Sequence, residues 1–201
     1  MKELIKPRLI IVAGPNGSGK TTITQKLLRH QWMNDCVYIN PDFIAQQEFG
    51  DWNSLEAVIK AANKAKEIRE DGLANMTSMA FETVFSTPEK LEFVQRAKAK
   101  GFFVRLFFIC TNDPSINAQR IALRVMEGGH DVPISKIISR YYRSIANGIE
   151  ALPLVDRAYF YDNTETDTDP LLLFRITDGK IAKIYGELAP WAKDIIDFVS
   201  T

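Results

Sequence analysis

One stretch near the start of the chain has the residue types and the spacing needed to hold phosphate groups. Residues 14–21 read Gly-Pro-Asn-Gly-Ser-Gly-Lys-Thr and fit the pattern G-x-x-x-x-G-K-[ST] at every fixed position. Glycines let the backbone curl so that successive N–H groups point at phosphate oxygens. Lys20 can reach the β- and γ-phosphates of a nucleoside triphosphate, and the Thr21 hydroxyl can ligate Mg²⁺. The predicted ATP-binding residues are Gly14, Pro15, Asn16, Gly17, Ser18, Gly19, Lys20, Thr21 and Thr22.

The residues on either side of this stretch support the motif. Residues 8–13 form an apolar run that is typical of a buried strand, and residues 22–28 have the pattern of a helix. A phosphate would therefore lie at a helix N-terminus, where the partial positive charge of the helix dipole favours it. An ordinary glycine-rich turn between a strand and a helix is the alternative interpretation.

Two carboxylates follow two further predicted strands. Asp42 comes after residues 35–40, and Glu82 ends the strand predicted over residues 77–83. In open α/β sheets, ligands bind at the carboxyl ends of the strands, so both carboxylates are candidates to line an acceptor site. Asp42 is the candidate for the base that accepts a proton from an acceptor hydroxyl. Capping of the turn or helix that follows is the alternative role for Asp42.

Arginines later in the chain could neutralise a phosphoryl group in transfer. A predicted helix carries Arg120 and Arg124 four positions apart, hence on one face, and a Gly-Gly-His sequence at 128–130 breaks it. We predict that residues 112–133 form a mobile lid. Arg124 and Arg140, together with Lys20 and Mg²⁺, could then stabilise the transferred group. Surface or ion-paired arginines are the alternative.

The elements that position these residues alternate along the chain. Such alternation predicts a mostly parallel sheet with right-handed crossovers, here of five strands with helices on both faces. From residue 171, two apolar runs flank Thr-Asp-Gly, which indicates a hairpin. A short helix should follow over residues 190–199. We therefore expect a single α/β domain over residues 1–201, with residues 171–201 forming a C-terminal hairpin and helix.

Two helices have clear apolar stripes, and one has a predicted end. Over residues 53–71 the stripe is Val58, Ala61, Ala62, Ala65 and Ile68, and Gly72 is the expected C-terminal stop. The helix from residue 134 to about residue 152 has a stripe of Ile134, Ile137, Ile138, Tyr141, Ile145 and Ile149. For the pair Tyr141 and Tyr142 we expect core packing.

Composition excludes several classes of protein. Hydrophobic residues make up 46% of 201 residues, which argues against disorder. Lys+Arg and Asp+Glu number 25 each, so no global field attracts nucleic acid or an anionic membrane. Cys36 and Cys110 lie in apolar runs and are typical of buried thiols in a reducing compartment. With no apolar run near ~20 residues and no signal-peptide pattern, we predict a cytoplasmic protein without a membrane partner.

Missing motifs narrow the class of P-loop protein. The chain has no Asn-Lys-x-Asp guanine motif, no Leu-Ser-Gly-Gly-Gln signature and no apolar run that ends in the Asp-Glu pair of motor ATPases. Separate strand-end carboxylates and a later arginine helix instead favour a small-molecule kinase. An ATP-binding switch that works through a protein partner is a second hypothesis. A polynucleotide kinase is a weaker third, because the neutral charge predicts no groove that tracks phosphates.

Taken together, the motifs resemble the zeta-toxin-like P-loop kinases, and most of all their smaller bacterial members. The resemblance spans about residues 8 to 163 and rests on residues 14–21, Asn40-Pro41-Asp42, Phe81-Glu82-Thr83, Arg124-Val125, residues 128–133 and Arg140-Tyr141. It implies a fold like that of nucleoside monophosphate kinases. It also implies ATP- and Mg²⁺-dependent phosphorylation of a sugar hydroxyl on UDP-N-acetylglucosamine, with an antitoxin protein as the partner in toxin members.

The resemblance also assigns roles by position. Lys20 matches the P-loop lysine, and Asp42 matches the proposed base. Glu82 and Thr83 fall near the strand end that binds the acceptor. Arg124 and Arg140 match the lid arginines. Because this alignment is uncertain by one helical turn, Arg120 could take the place of Arg124 and is a candidate ATP contact.

Overall fold

Seven strands form one mixed sheet in the computed structural model, which describes residues 6–50, 54–129 and 131–200. The strands are β1 (Arg8–Ala13), β2 (Val37–Ile39), β3 (Met79–Thr83), β4 (Phe103–Cys110), β5 (Arg157–Asp162), β6 (Leu171–Thr177) and β7 (Lys180–Ile184). Their spatial order is β2-β3-β1-β4-β5-β6-β7.

Strand direction divides the sheet into two parts. β1 to β5 pair in parallel, as the alternation of elements predicts. β6 and β7 form the predicted hairpin, whose turn contains Asp178 and Gly179, both with positive φ. β6 pairs antiparallel with β5. The hairpin therefore continues the sheet, so that the expected five strands are the parallel part of a sheet of seven.

Helices cover both faces of this sheet. Among the described residues they are α1 (Lys20–Leu28), α2 (Pro41–Glu48), α3 (Leu55–Ala74), α4 (Pro88–Ala99), α5 (Pro114–Met126), α6 (Ile134–Glu150) and α7 (Lys193–Ser200). Successive residues of a strand point to opposite faces. Accordingly, Leu9 and Ile11 of β1 join the larger core with residues of α3, α4, α6 and α7, whereas Ile10 joins a smaller core with residues of α1.

The predicted end of α3 is wrong. The helix continues through Gly72 and ends at Ala74, and Asn75 caps it. A Cβ at Gly72 would lie 2.7 Å from a side-chain carbon of Met79, so the glycine serves close packing against β3. The buried face also differs from the predicted stripe, because Val58 is exposed and the buried positions are Ala57, Ala61, Ala65, Arg69 and Leu73. Asn53, the predicted first residue, lies outside the described residues.

The solvent exposure of several side chains differs from expectation. Tyr141 is buried, but Tyr142 is 61% exposed, so the second tyrosine of the pair does not pack in the core. Ile134 and Ile138 of the predicted α6 stripe are also exposed. Cys110 is a buried free thiol, as expected, whereas Cys36 is only partly buried. Within the described part of the chain, no helix combines the length and apolar character needed to cross a membrane.

Candidate active site

The P-loop connects β1 to α1 and depends on glycine at particular positions. Gly14 has a φ of 146° and Gly19 has a φ of 89°, in a region that residues other than glycine rarely adopt. A Cβ on Gly14 would collide with the carbonyl oxygen of Ile109 on β4. On Gly19 it would collide with the side-chain amide of Asn163, which follows β5. The backbone of β4 therefore leaves room only for glycine at position 14, and at position 19 the positive φ and the Asn163 side chain both favour glycine.

Lys20 is the first residue of α1 and lies among polar groups of the loop. Its ammonium donates hydrogen bonds to the carbonyl oxygens of Gly14 at 3.0 Å and Pro15 at 2.8 Å. Burial lowers the pKa of Lys20 to about 8, Glu82 opposes the shift and Arg124 adds to it. At pH 7 the ammonium is mostly charged, as a phosphate-binding lysine requires.

The carboxylate of Glu82 accepts hydrogen bonds from two elements. The Thr21 hydroxyl on α1 donates to Oε2 at 3.4 Å, and the Tyr38 hydroxyl on β2 donates to Oε1 at 2.9 Å. The side-chain amide of Asn40 donates to the Tyr38 oxygen at 3.1 Å. Glu82, at the end of β3, is thereby joined to the residue predicted to ligate Mg²⁺.

Asp42 lies in the first turn of α2, but it does not cap the helix. The cap is Asn40, whose side-chain oxygen accepts a hydrogen bond from the Asp42 N–H at 2.9 Å. The capping alternative for the Asp42 side chain is therefore wrong. Asp42 is exposed and raises the pKa of Lys20 slightly, a smaller effect than that of Glu82.

The three arginines make different contacts. Arg124, near the end of α5, is exposed. The guanidinium of Arg120 donates to the backbone carbonyls of residues 163–165 at 2.7 to 3.3 Å, and so holds the loop after β5. Arg140 of α6 donates to the side-chain oxygen of Asn16 in the P-loop at 3.4 Å.

One open cleft of about 540 Å³ collects most of the predicted site residues. This volume is typical of small-molecule sites. Among the residues that line it are Asn16, Gly17, Gly19, Lys20, Thr21, Asp42, Glu82, Thr83, Arg120 and Arg124. The other predicted residues, which do not line it, are Gly14, Pro15, Ser18, Thr22 and Arg140.

Thr83 has a local role in addition to its place in the cleft. Its hydroxyl oxygen accepts a hydrogen bond from the Phe85 N–H at 3.1 Å. Phe85 has a positive φ of 59°, so this bond stabilises an unusual turn after β3. The Thr83 hydroxyl can still donate its proton to a ligand.

Sequence reasoning missed two asparagines that hold the P-loop. Asn117 of α5 is buried, and its amide donates to the Asn16 carbonyl at 2.6 Å. The amide of Asn163 donates to the Ser18 carbonyl at 2.9 Å. The position of Asn163 just after β5 is a signal for a residue at the binding edge, whereas the sequence around Asn117 gives none.

The cleft contains side-chain oxygens of the kind that Mg²⁺ uses as ligands. No group of three or more His, Cys, Asp or Glu that could hold a metal occurs in the described part of the chain. Mg²⁺ is usually bound through one or two protein oxygens together with substrate phosphates and water. The Thr21 hydroxyl and the Glu82 carboxylate, which lie in hydrogen-bonding contact beside the P-loop, provide such oxygens.

The structure shows where the helix of the predicted lid ends, but it does not test whether the lid moves. α5 ends at Met126, and Gly128 follows with a φ of 91° and an N–H that bonds the Val125 carbonyl. This is the usual way in which a glycine terminates a helix. His130 of the predicted break lies outside the described residues. Lid movement by residues 112–133 stays a prediction.

Comparison with known proteins gives the family and confirms the fold. A chain of the AvrRxo1-ORF1:-ORF2 complex with ATP superposes with a TM-score of 0.69 at 19% identity, over 96% of this chain and 64% of that one. A chain of the PezAT toxin–antitoxin system of Streptococcus pneumoniae superposes with a TM-score of 0.61 at 21% identity, over 99% of this chain and 86% of that one. These likenesses show the fold alone, and this chain spans under two thirds of the first.

Sequence comparison identifies a relative and a family. An uncharacterised protein of Haemophilus influenzae is 30% identical over 140 residues, which cover 69% of this chain and 95% of the relative. The sequence profile of the Zeta toxin family matches residues 1–166. This match covers most of the chain and includes every predicted site residue, so the chain belongs to the Zeta toxin family.

Proposed function

We propose that the protein is an ATP-dependent phosphotransferase that moves the γ-phosphoryl group of ATP to a hydroxyl of a small-molecule acceptor. The observation that carries this proposal is the composition of one cleft. Its lining includes Lys20 and Thr21 of the P-loop, the carboxylates of Asp42 and Glu82, and the guanidinium groups of Arg120 and Arg124. Phosphoryl transfer depends mainly on positioning and charge stabilisation, which such a set of groups supplies.

Each group has a role in the proposed reaction. Lys20 holds the β- and γ-phosphates, as its position at the N-terminus of α1 favours. The acceptor oxygen forms a bond to the γ-phosphorus while the bond to the ADP oxygen breaks. Asp42 accepts the proton that the acceptor hydroxyl loses. Arg124 stabilises charge on the transferred group, and Arg140, which does not line the cleft but bonds Asn16 of the P-loop, is the second arginine proposed for this role.

Mg²⁺ would be held by the Thr21 hydroxyl and, directly or through water, by Glu82. When bound, it neutralises charge on the β- and γ-phosphates. Glu82 is the better placed of the two carboxylates for this task, because it already accepts a hydrogen bond from Thr21. Asp42 is then free to face the acceptor, and Thr83 also lines the cleft.

Family membership supports a nucleotide-sugar as the acceptor. The resemblance to zeta-toxin-like kinases implies UDP-N-acetylglucosamine, and we propose it as the first acceptor to test. The test is a screen of nucleotide-sugars and nucleosides for incorporation of labelled phosphate from ATP, with Lys20→Ala as the inactive control. Transfer to a nucleotide-sugar supports the proposal, and transfer to a 5′-hydroxyl oligonucleotide supports a polynucleotide kinase instead.

An exposed apolar surface favours a protein partner as a second function of the same region. Leu123 and Met126 of α5 are 62% and 84% exposed, and Ile134 at the start of α6 is 65% exposed. Leu123 and Met126 lie in the same helix turn as Arg124, which lines the cleft. A partner such as an antitoxin could bind here and hold the lid. If ATP binds but no acceptor is phosphorylated, a switch that acts through a partner becomes the better hypothesis. The cytoplasmic location stays a prediction.

A further inference from the structure

A continuous chain of hydrogen bonds links the P-loop helix to the helix that carries the proposed base. It begins at the Thr21 hydroxyl and passes through Glu82, Tyr38 and Asn40 to the backbone N–H of Asp42. The four donor–acceptor distances are 3.4, 2.9, 3.1 and 2.9 Å. Residues of α1, β3, β2 and α2 are thus fixed relative to one another.

Both oxygens of Glu82 accept hydrogen bonds, which restrain rotation of its carboxylate. Oε2 accepts from Thr21 and Oε1 accepts from Tyr38. While the Thr21 proton points at Glu82, the lone pairs of the Thr21 oxygen can face a metal ion. Glu82 also interacts electrostatically with Lys20. Without the Tyr38 hydroxyl, the carboxylate would be free to turn away from Thr21, and the two side chains would no longer present their oxygens to one metal ion.

Tyr38 is itself held in place. Its ring packs edge-on against Phe43 of α2 at a centroid distance of 6.0 Å, and its oxygen accepts the amide proton of Asn40. Its hydroxyl donates to Glu82 Oε1 at 2.9 Å.

We propose that Tyr38 and Asn40 are positioning residues that hold Glu82, and through it Thr21, in the orientation that binds the Mg²⁺ of Mg·ATP. This inference rests on the proposed function for the identity of the ligand. Mutation of a group that hydrogen-bonds a metal ligand commonly lowers metal affinity or activity by about 10- to 100-fold. Tyr38 does not line the cleft, whereas Asn40 does, so Tyr38→Phe is the principal test.

The experiment measures the affinity of a non-hydrolysable ATP analogue by calorimetry, once with excess EDTA and once with saturating Mg²⁺. The ratio of the two affinities is the metal increment. Tyr38→Phe keeps the ring and removes only the hydroxyl, so we expect the metal increment to fall by about 10- to 100-fold while the metal-free affinity is unchanged. Binding of Mn²⁺ with the analogue, followed by electron paramagnetic resonance, should weaken in parallel.

Asn40→Ser provides a second variant. Serine still caps α2, but its short side chain does not reach the Tyr38 oxygen, so the metal increment should fall in the same direction. Tyr142→Phe removes the same atom from an exposed tyrosine on α6 and serves as the matched control, with no expected change.

Several outcomes would overturn the inference. A wild-type protein without a metal increment would do so, as would a folded Tyr38→Phe protein with the wild-type increment. A purely structural role predicts a lower Tm and an equal loss of affinity with and without Mg²⁺. If the wild-type increment is present and the variants lose it while no acceptor is ever phosphorylated, the proposed function fails and this inference stands.

Discussion

Replacing Asp42 by asparagine separates a catalytic role from a structural one. Asp42→Asn keeps the side-chain shape and removes the charge. The structure makes the stability cost small, because Asn40 and not Asp42 caps α2. What remains is the favourable interaction of a first-turn carboxylate with the helix dipole, about 0.3 to 1 kcal/mol. For a domain of this size, the expected drop in Tm is about 1 to 4 °C.

The same substitution should reduce catalysis far more than binding. Asp42 contributes less than Glu82 to the charge balance of Lys20, so ATP affinity should change only slightly. Loss of a general base typically costs about 10² to 10⁴-fold in rate. We therefore expect single-turnover phosphoryl transfer to fall by about that factor. The assay uses the acceptor found in the screen, with Tm, ATP affinity and transfer rate measured on one preparation.

A matched control is available on the same helix. Glu48→Gln removes a carboxylate from the last turn of α2, outside the cleft, and should leave the transfer rate unchanged. A folded Asp42→Asn protein that transfers phosphate at the wild-type rate would refute the reasoning. Glu82 would then be the next carboxylate to test as the base.

Four further predictions concern the rest of the molecule. Lys20→Ala should nearly abolish transfer while the Tm stays close to wild type, and an unaltered rate in a folded variant would contradict the P-loop assignment. Arg124→Ala and Arg140→Ala should mainly lower kcat, by up to roughly 10³ to 10⁵ in the best case, and wild-type kcat in both would make them surface residues. Residues 112–133 should gain protection from hydrogen exchange when an ATP analogue and acceptor bind, whereas equal protection would argue against a lid. Burial raises the pKa of Cys110 to about 12, so at pH 8 its thiolate fraction is about 10⁻⁴ and iodoacetamide should label it only after denaturation, which mass spectrometry can follow.

The P-loop and most elements could be predicted because their signals are local. A strand, a glycine-rich turn and a helix follow one another directly at residues 8–28, so each supports the interpretation of the next. Asp113, directly before Pro114, caps α5, and this is a local signal of the same kind. Because each lies at or just after the end of a predicted strand, Asp42 and Glu82 are likewise both candidates to line the acceptor site.

The network around the site could not be predicted, because its partners are far apart in the sequence. Tyr38 and Glu82 are separated by 44 positions, and Asn117 lies 101 positions from Asn16. Their contacts follow from the order in which the strands lie in the sheet, which spacing along the chain does not encode. Periodicity also failed at Ile134, because it shows which residues share a helix face but not whether another element covers that face.

The contacts of α5 divide the predicted lid into two parts. Asn117 bonds the P-loop, and Arg120 bonds three carbonyls of the loop after β5, so the first half of the helix is anchored. Beyond Ile121, which is buried, the helix carries exposed Leu123, Arg124 and Met126 before its glycine end. If the predicted lid closes without breaking these contacts, it must bend after Ile121. Arg124 would then lie on the part that moves, and this position would suit an arginine that reaches the phosphoryl group only in the closed state.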